Sequence, residues 1–197
     1  LDISGDVPEN VLRLLMRELR LGVADIYQKP APLMLQGLMG LYHLPLPQLK
    51  DPPFNPRLPR QMESRDDIFS LIAEEDLLLH HPFDSFYPTI EFLHQAAHDP
   101  NVLAIKQTLY RTSGDSPIID ALIRAAENGK QVTAVVELKA RFDEKNNITW
   151  ARRLERAGVN VVFGFVGLKT HCKLILVVRR ESGRLVRYVN VATGNYN

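Results

Sequence analysis

A single cysteine, Cys172, is all that 197 residues contain, which excludes an internal disulfide framework and fits a reducing compartment. Long apolar runs are missing too. The most apolar stretch near the start, residues 33–49, is broken by Gln36, His43, Pro45 and Pro47, so it cannot supply the ~20 apolar residues of a membrane span. The opening residues do not read as a secretory signal. Neither aromatic residues (8%) nor charged ones (24%) depart from what soluble domains use, which argues against a disordered tail or a fibrous repeat. Hydrophobic residues make up 45%, enough to build the core of one large domain or two small ones. The chain begins with Leu1 and stops at Asn197, directly after a strand-like segment, so it is expected to be a piece of a longer polypeptide.

The formal net charge of +1 conceals an uneven distribution. Residues 1–100 carry 8 Lys/Arg against 15 Asp/Glu, whereas residues 139–188 carry 12 against 4. The later segment is a cationic surface. Such asymmetry points to an anionic partner, whether phosphate chains, nucleotides, nucleic acid or the acidic half itself, with a solvated surface as the alternative.

Residues 8–20 place Val11, Leu14, Leu15 and Leu19 at helical spacing behind Pro8, and a second helical piece is expected over 32–42. Six prolines between Pro45 and Pro59 then rule out regular structure to about residue 60, and read as a connection between domains. Beyond it, helix and strand alternate. Helices are expected over 66–75, 85–98, 118–128 and 144–157, with Gly129 and Gly158 in stop positions. Strands are expected over 102–110, 131–138 and 160–165, followed by a hairpin of 172–179 with 184–192. This order predicts an α/β sandwich with a mixed sheet, preceded by a small helical segment.

Among groups able to do chemistry, His171-Cys172-Lys173 leads. Residues two apart in a strand share a face, so imidazole and ammonium are expected to point into one site, with Cys172 pointing the other way into the core. An imidazole titrates near ~6.5 and offers a neutral nucleophile at cellular pH, beside which a lysine can hold the phosphate under attack. Asn195, in the turn-like end of the hairpin, is expected opposite the start of that strand, able to bond a phosphoryl oxygen or orient His171. Arg111 and Arg141 follow two strands whose parallel pairing would set both at the edge where ligands gather in open α/β sheets. Their guanidinium forks suit phosphate oxygens. His80, His81, His94 and His98 read as structural, because no third ligand stands at metal spacing.

These residues lie in segments that resemble the long-chain polyphosphate kinase family: Leu-Leu-Leu-His-His-Pro-Phe at 77–83, Ala-Ile-Lys-Gln-Thr-Leu-Tyr-Arg at 104–111, Val-Glu-Leu-Lys-Ala-Arg-Phe-Asp-Glu at 136–144, Gly-Leu-Lys-Thr-His-Cys-Lys at 167–173 and Ala-Thr-Gly-Asn-Tyr-Asn at 192–197. The resemblance implies a phospholipase D-like fold in which two similar halves each contribute a His and a Lys. Residues 1–60 would then be the end of a helical head domain with its proline-rich connection, and 61–197 the first, truncated catalytic half. It implies that His171 takes the γ-phosphate of ATP as a phosphohistidine and passes it reversibly to polyphosphate. Lys173 and Asn195 match stabilising neighbours, and Arg111, Arg141 and Lys173 the phosphate-binding set. Because arginine offers no lone pair to a metal, Arg111 and Arg141 would hold phosphate oxygens that themselves carry Mg2+. ATP, ADP and polyphosphate are the implied partners, without nucleic acid. A cytoplasmic, self-associating full-length chain is implied, with peripheral membrane association left open. The piece alone is expected to be inactive.

Two alternatives stand beside this. A phospholipase D-type phosphodiesterase would use the same His, but its motif wants an Asp five positions after the Lys, where Val178 stands. A non-enzymatic module would merely bind polyanions through the basic face.

Overall fold

A computed structural model describes residues 1–30, 33–110, 116–137, 144–164 and 167–196, with the side chains of 144–147 left aside. Contacts divide the chain into two units, Leu1–Phe54 and Asn55–Asn197. In the first, β1 (Asp2–Ser4) pairs in parallel with β2 (Tyr27–Lys29). Between them runs α1 (Glu9–Leu19), at the expected place, with Val11, Leu14 and Leu19 exposed. The helix expected over 32–42 is reduced to a 3-10 turn at Leu35–Leu38 and one α turn, α2 (Met39–Tyr42). Gly37 and Gly40 weaken helix there and Pro45 and Pro47 block its extension. The proline-rich stretch holds only a 3-10 turn at Pro47–Leu49 before the second unit begins.

That unit runs α3 (Ile68–Glu74), α4 (Tyr87–His98), β3 (Val102–Leu109), α5 (Pro117–Glu127), β4 (Gln131–Val136), α6 (Glu144–Arg156), β5 (Asn160–Phe163), β6 (Lys173–Glu181) and β7 (Arg184–Ala192). Local chemistry sets its boundaries. The Asp67 carboxylate caps α3 by accepting the Phe69 N–H at 3.0 Å, and proline occupies the first turn of α4 and α5. Gly129 and Gly158 take φ of 79° and 87° where α5 and α6 end, the left-handed conformation that glycine adopts without strain.

The five strands order as β5-β4-β3-β6-β7. The first three are parallel, β6 is antiparallel to β3, and β7 returns antiparallel to β6, which makes the expected α/β fold with a mixed sheet. Period-two alternation decides which face is covered. Ile105, Leu109, Val132, Val136, Ile175 and Val177 share a face and pack with residues of α3 to α6 in one buried cluster. On the opposite face Leu174 and Leu176 are only half-buried, and Val189 and Val191 are 52% and 74% exposed. The apolar helix-facing side therefore carries the core.

At the far end of the hairpin, Arg179 ties the layers together. Its guanidinium donates to Asp99 Oδ2 and to Glu181 Oε1, both at 2.7 Å, and lies 5.1 Å from the centre of the Phe69 ring. Tyr188 donates to the same Glu181 oxygen at 2.6 Å. Burial works against the Arg179 charge, yet its bonds to Glu181 and Asp99 prevail and hold the guanidinium more firmly protonated than usual. Glu181 is correspondingly lowered below 4.5, first by the Tyr188 hydroxyl and then by Arg179.

Candidate active site

Strand direction gathers the chemistry at one edge. Because β3, β4 and β5 run parallel while β6 opposes β3, the carboxyl ends of the first three meet the amino end of β6 and, through the hairpin, the carboxyl end of β7. Tyr110, Glu137, Gly164, His171, Lys173 and Asn195 all lie at this edge, immediately beyond or beginning these strands. Ligands bind at the corresponding edge in open α/β sheets.

Lys173 opens β6 opposite Ala192, and its parity turns it to the covered face, where it is 4% exposed. A buried ammonium needs partners. It donates to the His171 carbonyl at 2.6 Å and lies 5.1 Å from the centre of the Tyr110 ring. Lys169 reaches the same ring at 5.2 Å, and the His171 imidazole meets it edge-on, with centroids 5.7 Å apart and planes at 73°. The Thr108 hydroxyl donates to the Cys172 carbonyl at 2.8 Å and accepts the Leu174 N–H at 2.9 Å, which pins the start of β6 to β3. One residue before His171, the Thr170 N–H donates to Glu137 Oε2 at 2.9 Å. Gly164 makes room for this contact: a Cβ there would stand 3.2 Å from Thr170 Oγ1 and 3.6 Å from Glu137 Oε2.

The structure thus brings His171 and Lys173 together, though by a different route from the expected one. The strand begins at Lys173, so His171 sits in the preceding segment, exposed, and the two side chains meet through Tyr110 rather than by projecting side by side. Cys172 is corrected outright. It is exposed, next to a strand whose Lys173 is buried and whose Leu174 and Leu176 are only half-buried. Asn195 lies three residues beyond Ala192 at the right end of the sheet, where it lines a cavity of about 240 Å³ with His81, Thr89, Asn190 and Tyr196. It makes no hydrogen bond to His171 among the described residues. Burial and the nearby Cys172 push the Tyr196 hydroxyl up in this cavity, and it donates to Asn190 Oδ1 at 2.8 Å. Arg111 and Arg141 lie outside the described residues. Leu109 and Val136, the last residues of the strands that lead to them, are direct partners in the sheet.

Sequence reasoning missed Tyr110, Lys169 and Glu137. The signals were a tyrosine at a strand exit, a lysine two before the histidine, and an acidic residue, 5% exposed, ending an apolar strand. His94 and His98 stack at 4.5 Å, but no group of three or more His, Cys, Asp or Glu able to hold a metal occurs among the described residues. The described donors at the sheet edge are mainly cationic, which fits Mg2+ arriving on phosphate oxygens rather than in a protein cage.

Residues 67–197 match the family described as polyphosphate kinase C-terminal domain 1. The whole chain aligns at 57% identity with a polyphosphate kinase of Mycolicibacterium gilvum (strain PYR-GCK), of which it covers 28%. It aligns at 53% identity with that of Parasynechococcus marenigrum (strain WH8102), covering 30%. The crystal structure of polyphosphate kinase from Porphyromonas gingivalis superposes over the whole chain with a TM-score of 0.83 at 31% identity, 30% of that chain being covered. The chain therefore spans less than a third of the length of these relatives. With the matched residues carrying the mixed sheet and its phospholipase D-like edge, the chain belongs to the polyphosphate kinase family.

Proposed function

We propose that this segment supplies the phosphoryl-accepting half of an enzyme that moves the terminal phosphate of ATP to inorganic polyphosphate and back. The observation that carries the reading is the placement of His171, exposed, at the strand edge beside the buried Lys173 ammonium. An imidazole lone pair on His171 attacks the γ-phosphorus, the bond to the β–γ bridging oxygen breaks, and ADP leaves with that electron pair. The terminal oxygen of polyphosphate then attacks the phosphohistidine phosphorus, lengthening the chain by one unit and freeing the imidazole. Phosphoryl transfer asks a protein for positioning and for cations around the equatorial oxygens. Lys173 supplies one such cation, Arg111 and Arg141 supply two more, and Asn195 orients the group or the ring. Mg2+ carried on the nucleotide phosphates would neutralise charge as it develops.

The basic segment 139–188 supports a path for the anionic product, whose binding should weaken with salt. No helix among the described residues is long and apolar enough to cross a membrane. We place the full-length enzyme in the cytoplasm as a homo-oligomer, with any membrane association peripheral. Residues 1–197 alone are expected to make no polyphosphate, because the reading requires a second His-bearing half.

In the full-length enzyme, His171→Gln should lower both polyphosphate synthesis and ATP formation from polyphosphate by at least about a thousandfold, as loss of a nucleophile does. Retained synthesis would refute the proposal. Cleavage of phosphodiesters without ATP would instead favour a phospholipase D-type hydrolase.

A further inference from the structure

We infer that Tyr110 is a positioning residue of this site, its ring forming a shared platform that fixes the His171 imidazole and the Lys169 and Lys173 ammonium groups relative to one another. The inference rests on the proposed phosphohistidine reading and adds to it the means by which the nucleophile and its cations are held. Three contacts converge on one side chain: Lys173 Nζ at 5.1 Å, Lys169 Nζ at 5.2 Å and the His171 ring at 5.7 Å.

The two ammonium contacts use the same property of the ring. An aromatic face carries the negative lobe of a quadrupole, which attracts ammonium groups and accepts the edge of a second ring. Two ammonium groups drawn toward one point repel each other, and the buried Lys173 has little solvent to offset this. A ring held just beyond the end of β3 counters the repulsion with a neutral group, which does not compete with an incoming phosphate as an anion would. Tyr110 can do this because it follows directly on Leu109, which is buried and paired to Val136 in the sheet. The platform thus inherits the rigidity of the core. These contacts are made by the ring, so a substitution series built on phenylalanine tests them against a common reference.

The test uses the full-length enzyme with Tyr110 replaced by phenylalanine and then by para-fluoro-, difluoro- and trifluorophenylalanine, which drain the ring quadrupole at nearly constant shape. The readouts are the single-turnover rate of His171 phosphorylation from ATP and the ATP concentration giving half that rate. With Tyr110→Phe as the reference, the rate should fall stepwise along the fluorination series to about a tenth in the trifluoro variant. The loss should appear in the rate and not in the half-saturating ATP concentration, because the platform orients reacting groups. A flat fluorination series overturns the inference, as does a loss confined to half-saturation. Failure of the unsubstituted enzyme to label His171 at all overturns the phosphohistidine reading first, and is read separately in that control.

Discussion

Replacing Glu137 by alanine should loosen the segment that carries His171 while leaving the core intact. Glu137 directly follows the apolar strand β4 and its Oε2 accepts the Thr170 N–H at 2.9 Å, one residue from the histidine. Removing the acceptor leaves a part-buried donor without its partner, at a cost of about 1–3 kcal/mol. That corresponds to roughly 5- to 150-fold greater population of opened states. Hydrogen exchange on the full-length enzyme reads this directly: the Thr170 amide and its neighbours at 168–172 should lose protection by that factor, whereas the amides of β3 and β6 should not. Glu137→Gln keeps an acceptor oxygen and should recover part of the protection. Phosphorylation of His171 should slow in the same order, alanine more than glutamine. Unchanged exchange at Thr170 in the alanine variant would refute the anchoring role, as would protection lost equally throughout the sheet.

Three further outcomes follow from neighbouring features. Gln107 is 1% exposed and both polar atoms of its side chain lack a hydrogen-bond partner among the described residues, so Gln107→Leu should raise unfolding stability by about 1–3 kcal/mol in denaturant titrations, and a loss of stability would contradict this. Arg179→Met should cost about 2 kcal/mol at neutral pH, given two partly buried ion pairs at 2.7 Å. Because the Glu181 carboxyl is depressed, its share of that stability is complete above 4.5 and is lost as pH falls through its folded value. The gap between wild type and Arg179→Met should therefore narrow in acid, and a gap that widens there would count against the pairing. Cys172 should react with a maleimide in the native fold at a rate near that of a free thiol, which a cysteine packed in the core would not do.

Much of the second unit was legible because its signals are local. Gly129 and Gly158 punctuate the helices, and Gln131 to Val136 is buried at every second residue as alternation requires. The nearness of His171 to Lys173 was legible from their spacing. What spacing could not reveal was which sheet face bears the helices. That unknown reversed the expectation for Cys172, since Lys173 rather than Cys172 is buried, while His171 precedes the strand and stands outside its alternation. Tyr110 and Glu137 were invisible for another reason. Each acts through contacts with residues 33 or more positions away, and no local pattern encodes those. The small sheet of β1 and β2 escaped because strands of three residues show no periodicity.

The central claim is best tested by locating the transferred phosphate. Full-length enzyme mixed with ATP in the absence of polyphosphate, then digested at alkaline pH to preserve phosphoramidates, should yield one acid-labile phosphorylated peptide whose fragmentation places the group on His171. A phosphate on any other residue, or chain growth with no phosphorylated enzyme at any time, would contradict the account.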